Sequence, residues 1–153
     1  MADRDHERWQ LLIVGVGASA GGLGALNRLL GAVDRTAASQ VGLAFVVVQH
    51  LDPEHESMLP EILARHTALD VHSASDQRKL EPNSVYVIKP GTQITVVDDE
   101  LRVEAQPTRH SVSAGIDHFF KSLAATFGKH CAGIVLSGTG RDGTSGLRAI
   151  KGA

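Results

Sequence analysis

Residues 11–17, LLIVGVG, form a short apolar run without alternation, which predicts a parallel strand buried on both faces and ending in glycines. From Gly22 to about Val33, Leu23, Leu26, Leu29 and Leu30 recur at helical spacing and predict a helix. The segment DRTAASQ that follows carries no apolar stripe and reads as a loop. A second apolar run, VGLAFVVVQHLD at residues 41–52, completes a βαβ unit with a right-handed crossover. In PEHESMLPEILARHT the pattern turns helical again, with Ser57 as N-cap, because Pro60 needs no amide partner in a first turn.

The middle of the chain changes style. SVYVIKPGTQITVVDDELRVEA breaks into three short β-rich pieces at Pro90-Gly91 and Asp98-Asp99, the punctuation of hairpins, and predicts antiparallel strands. Ile116, Phe119, Phe120, Leu123 and Phe127 then lie on one helical stripe, with Gly128 as its stop. AGIVLS at 132–137 reads as another buried strand, and the glycine loop GTGRDGTSG leads into a last helix carrying Leu147 and Ile150. This pattern predicts a doubly wound α/β fold: a mostly parallel sheet, helices on both faces and an inserted antiparallel hairpin region. Residues 1–10 form a polar lead and 11–153 the α/β domain. A crossover helix normally delivers the chain to a next strand, so the domain is expected to lack its C-terminal strand and helix.

Composition narrows the class. A length of 153 residues with 42% hydrophobic content suits one domain with one ordinary core. Fifteen Lys+Arg against seventeen Asp+Glu give a formal net charge of −2, without the basic run of a nucleic-acid groove. Cys131, the only cysteine, excludes an internal disulfide and suits a reducing cytosol. The opening MADRDHERWQ is too charged for a signal peptide, and no apolar stretch approaches the roughly 20 residues of a membrane span. The expectation is a cytoplasmic domain, with neither nucleic acid nor membrane insertion among its interactions.

Candidate chemistry gathers where strands end. In open α/β sheets the carboxyl ends of the strands hold the reactive groups. Three such loops, 15–22, 49–52 and 138–143, offer Ser19, His50 and Asp142: a nucleophile, a base and an acid to orient the base. Ser19 also sits in Gly17-Ala18-Ser19-Ala20-Gly21, a Gly-x-Ser-x-Gly pattern whose small residues let a sharp turn expose the hydroxyl.

Other readings use the same letters. Gly15-Val16-Gly17-Ala18-Ser19-Ala20 fits the dinucleotide fingerprint, but Gln49 and His50 occupy the strand end where an acid would hold a ribose. No Gly-Lys-Ser/Thr follows either glycine cluster, which argues against a Walker-type loop. His50, Asp52 and His55 are close in sequence but lack the spacing of a metal site, so no metal and no cofactor is expected. Taken singly, a serine in a glycine turn is a capping residue, His50 a strand-end residue and Asp142 a helix cap. Their joint placement at three strand ends favours the catalytic reading.

Four blocks together, GASAGG, VVVQHLDPEH, LEPNSVYVIKPG and GIVLSGTGRDGTSGLRAIK, resemble the CheB-type protein-glutamate methylesterases of bacterial chemotaxis, from about Leu12 to Lys151. The resemblance implies Ser19 as nucleophile, His50 as general base and Asp142 as orienting acid. It implies hydrolysis of γ-glutamyl methyl esters on the cytoplasmic helices of chemoreceptors, with deamidation of receptor glutamines as a related activity. Backbone amides of the Ser19–Ala20 turn and of Gly138, Thr139 and Gly140 are the expected oxyanion donors.

The chain departs from the best-known members in three places. Ala20 stands where they have threonine, Thr139 where they have methionine, and SAGID at 113–117 replaces Arg-Pro-Ser-Val-Asp while keeping Asp117. With about ten polar residues before the first strand, receiver-type control within this chain is not expected. The variant signatures look more like members fused to a receptor methyltransferase and sensor-kinase modules, which are therefore expected partners. A non-catalytic docking module within such a fusion, and a nucleotide-binding domain, are the alternatives.

Overall fold

A computed structural model describes residues 10–50, 54–106, 115–136 and 142–153. Strand β1 (Leu12–Ala18) runs through a 3₁₀ turn at Ala20–Gly22 into helix α1 (Leu23–Gly31). Helix α2 (Arg35–Val41), strand β2 (Leu43–Gln49) and helix α3 (Leu59–Ala64) follow. Next come strands β3 (Asp70–Ser73), β4 (Ser84–Val87), β5 (Thr92–Val97) and β6 (Glu100–Ala105). Helix α4 (Gly115–Phe127), strand β7 (Cys131–Leu136) and helix α5 (Thr144–Lys151) complete the order.

Five strands form one sheet in the order β3-β4-β2-β1-β7, every neighbouring pair parallel. A parallel sheet needs cover on both faces. On one face Val14, Val16, Phe45, Val47 and Val87 pack with Leu26, Leu30, Ala38, Leu59 and Leu63 of α1, α2 and α3. The opposite face, with Ile13, Ala44, Val46 and Val48, packs with Ile116, Phe119, Phe120, Leu123 and Phe127 of α4. The alternation of β1 and β2 side chains between these layers makes the fold doubly wound, as the apolar runs predict.

Strands β5 and β6 form a separate antiparallel pair. It is tied to α4 at its backbone: the Val96 amide donates to Ser122 Oγ at 3.1 Å, and Thr126 Oγ1 donates to the Val96 carbonyl at 3.1 Å. Of the three β-rich pieces in the middle segment, only the last two make this hairpin. The first, SVYV, is β4, buried throughout and paired in parallel with β2 and β3.

Local structure differs from the sequence reading in four further places. DRTAASQ is helical, not a loop: Asp34 accepts from the Thr36 amide at 3.0 Å, and Gly42 ends α2 at φ +70. Two good caps sustain a helix that buries only Ala38, too little to leave an apolar stripe. Edge strand β3 escaped notice because its residues are exposed or half-buried. Helix α3 starts only at Leu59, whose amide donates to Ser57 Oγ at 3.1 Å, so the predicted capping hydroxyl does serve that first turn. Strand β7 is half-buried, unlike the buried strand its sequence suggests, because it is an edge of the sheet.

Candidate functional site

Register brings the site together. Ala18, the last residue of β1, pairs with Gln49, the last of β2, and also with Leu136, the last of β7. Neighbouring strands lie about 4.8 Å apart, so these three strand ends lie side by side at one level. Ser19 and His50 are the first residues beyond β1 and β2.

Two contacts fix the turn at Ser19. Its backbone is extended, with φ −89 and ψ 173, so the strained serine of a nucleophile elbow is not present; the chain reverses just after it. The Ser19 carbonyl accepts from the Gly22 amide at 2.8 Å, closing the 3₁₀ turn, and from Gln49 Nε2 at 3.1 Å. Gln49 is buried, and its side chain thereby ties the end of β2 to the turn. The glycines flanking Ser19 are not equivalent. A Cβ on Gly17 would come within 2.6 Å of Ile116 Cγ2, whereas one on Gly21 would meet nothing within 4 Å. The small-residue pattern therefore reflects helix packing at its first position and no steric demand at its last.

His50 Nε2 lies 2.8 Å from Asp142 Oδ2. The imidazole side chain is 32% exposed and the carboxylate 9%, which leaves the base more open to solvent than its half-buried acid. An imidazole held through Nε2 presents Nδ1 to a reacting group, the reverse of the serine-protease template, in which the acid holds Nδ1. Asp142 is anchored further by the first turn of α4: Oδ2 accepts from the Ile116 amide at 2.9 Å and Oδ1 from the Asp117 amide at 2.8 Å. Burial alone would raise its pKa, but the His50 contact and the two amide hydrogen bonds outweigh burial and hold it below the ordinary 3.8. The carboxylate therefore stays ionised beside the imidazole at neutral pH.

Asp117 answers in kind. Its Oδ1 accepts from the Gly143 amide at 3.0 Å and from the Gly146 amide at 2.6 Å, at the start of α5. Sequence reasoning noted Asp117 only as a retained position and Gln49 only as a non-acid; the signals were an acidic residue in a helix first turn and an amide beside the candidate base. Gly138, Thr139, Gly140 and Asp52 lie outside the described residues, and of Ala20 only the backbone, in the 3₁₀ turn, is described. Among the described residues no three His, Cys, Asp or Glu side chains cluster as a metal site, and no helix is long and apolar enough to cross a membrane.

A parallel α/β sheet with helices on both faces is also the fold of a solved structure, the CheB methylesterase catalytic domain of Thermotoga maritima. That likeness has a TM-score of 0.75 at 23% identity and covers 92% of this chain and 75% of that one. The CheB methylesterase family model matches residues 14–153, and the chain belongs to that family. Among curated relatives, a 104.1 kDa protein of Rhodobacter capsulatus is 41% identical over 62% of this chain and 10% of its own length. A protein-glutamate methylesterase/protein-glutamine glutaminase of Desulfotalea psychrophila is 26% identical over 99% of this chain and 43% of its own. The chain thus spans less than half the length of these curated relatives.

Proposed function

We propose that this chain is a serine esterase that hydrolyses γ-glutamyl methyl esters on the cytoplasmic helices of methylated chemoreceptors, with Ser19 as nucleophile, His50 as general base and Asp142 as orienting acid. The observation that carries the reading is the 2.8 Å pair of His50 Nε2 with the half-buried Asp142, His50 following the residue of β2 that pairs with Ala18, the residue before Ser19. Ser19 Oγ attacks the ester carbonyl while its proton passes to His50 Nδ1, and Asp142 holds the Nε2–H and stabilises the imidazolium. The imidazolium returns the proton to the departing methoxide, releasing methanol, and water cleaves the acyl-enzyme through the same base.

Such proton transfer contributes on the order of 10²–10⁴ in rate. An oxyanion donor contributes roughly 10²–10³, and the amides of the Ser19–Ala20 turn and of Gly138, Thr139 and Gly140 are assigned that role. Deamidation of receptor glutamines uses the same steps with ammonia as leaving group, and the name of the Desulfotalea psychrophila relative pairs the two activities.

The test is methanol release from methylated receptor fragments, comparing the chain with Ser19→Ala. The variant should lose more than about 10³-fold in kcat. Equal release by the two proteins would overturn the esterase reading and leave a docking module.

A further inference from the structure

We propose that Asp117 is a positioning residue of this site: by capping the start of α5 it holds Asp142 in the geometry that meets His50. The proposal rests on the esterase reading for its kinetic consequence, and on hydrogen bonding alone for its structural one.

The helices α4 and α5 begin face to face, and two aspartates cross between them. Asp142, just before α5, accepts from the Ile116 and Asp117 amides of α4, while Asp117, in α4, accepts from the Gly143 and Gly146 amides of α5. Each helix start carries unpaired donors and about half a positive charge, so two starts this close need anionic acceptors between them. Each aspartate supplies the acceptor for the other's helix.

The consequence for His50 follows from peptide geometry. The 142–143 peptide is planar, so the Asp117 grip on the Gly143 amide fixes the orientation of the Asp142 main chain from its carboxyl side. The Asp117 amide grips Asp142 Oδ1 at the other end of the same residue. With main chain and Oδ1 both held, Oδ2 is left directed at His50 Nε2. The approach is close enough to demand glycine: a Cβ on Gly146 would lie 2.5 Å from Phe120 Cβ and 3.2 Å from Asp117 Oδ1. Gly143 takes φ +102, where a Cβ would also press on Val135 at 2.8 Å.

Asp117→Ala and Asp117→Asn separate positioning from charge, because asparagine keeps a carbonyl acceptor for both amides and loses only the charge. Two readouts apply to the full chain: kcat and KM for methanol release, and titration of the Asp142 carboxyl carbon by NMR over the range in which each protein is folded. Both His50 and Asp117 face Asp142, so the sign of the titration shift is informative. Removing the Asp117 charge by itself would lower the Asp142 midpoint, whereas loosening the Asp142 hydrogen bonds raises it.

The expected result is a rise of the midpoint toward 3.8 and a fall of about 10²-fold in kcat at unchanged KM in Asp117→Ala. Asp117→Asn should restore kcat and bring the midpoint back to or below that of the parent, since both amides keep their acceptor and only the charge is lost. A midpoint that falls in Asp117→Ala, or an Asn variant that behaves like the Ala variant, overturns the proposal. The titration needs no turnover, so it decides the matter even if Ser19→Ala shows that the chain is no esterase.

Discussion

Asp142 Oδ2 accepts from two directions: His50 Nε2 at 2.8 Å and the Ile116 amide at 2.9 Å. One carboxylate oxygen thus joins the candidate base to the first turn of α4, and its ionisation contributes to folding. The folded pKa lies below the ordinary 3.8, so the stabilisation is complete above the unfolded pKa and is lost as pH falls through the folded one. Asp142→Asn should therefore be less stable than the parent near pH 7, with a difference that shrinks below about pH 4. Urea unfolding at the two pH values checks it; a difference independent of pH would contradict the ionised pairing.

The two glycines around Ser19 should respond differently to a methyl group. Gly17→Ala drives a Cβ into Ile116, whose amide holds Asp142, and should cost about 1–3 kcal/mol together with esterase activity. Gly21→Ala enters open space at an ordinary φ and should change stability by less than about 0.5 kcal/mol. Thermal or urea unfolding of both variants gives the comparison, and equal losses would be inconsistent with the packing at Gly17.

Gln49 should matter beyond its own burial. Its Nε2 donates to the Ser19 carbonyl, and because the Ser19–Ala20 peptide is planar and trans, that bond also sets where the Ala20 amide points. The amide after a nucleophile is a usual oxyanion donor. Gln49→Ala is expected to cost about 1 kcal/mol in stability for the lost hydrogen bond and about tenfold in kcat, with KM little changed. Steady-state methanol release beside a urea melt separates the two effects; unchanged kcat would show that the turn holds itself.

Much of this molecule is written in local pattern. The apolar runs of β1 and β2, the stripe of α4 from Ile116 to Phe127 and the hairpin punctuation at Asp98-Asp99 each report burial by neighbours close in sequence, and each appears in the fold. The positions of Ser19 and His50 just beyond β1 and β2 were legible for the same reason, since a strand's end is marked in its own residues. Where the pattern was weak the reading failed: α2 depends on its caps and β3 on the partner strand beside it.

Sequence by itself determined which residue types stand at the strand ends and that a parallel α/β sheet would carry them, because alternation, helical spacing and glycine turns are properties of adjacent residues. Only the tertiary structure decided that β4 joins the parallel sheet, that Gly17 is a packing glycine while Gly21 is not, and that Asp142 and Asp117 cap each other's helices. Those outcomes depend on which surfaces meet after the chain has closed. A carboxylate in a helix first turn looks the same in sequence whether it caps its own helix or another one.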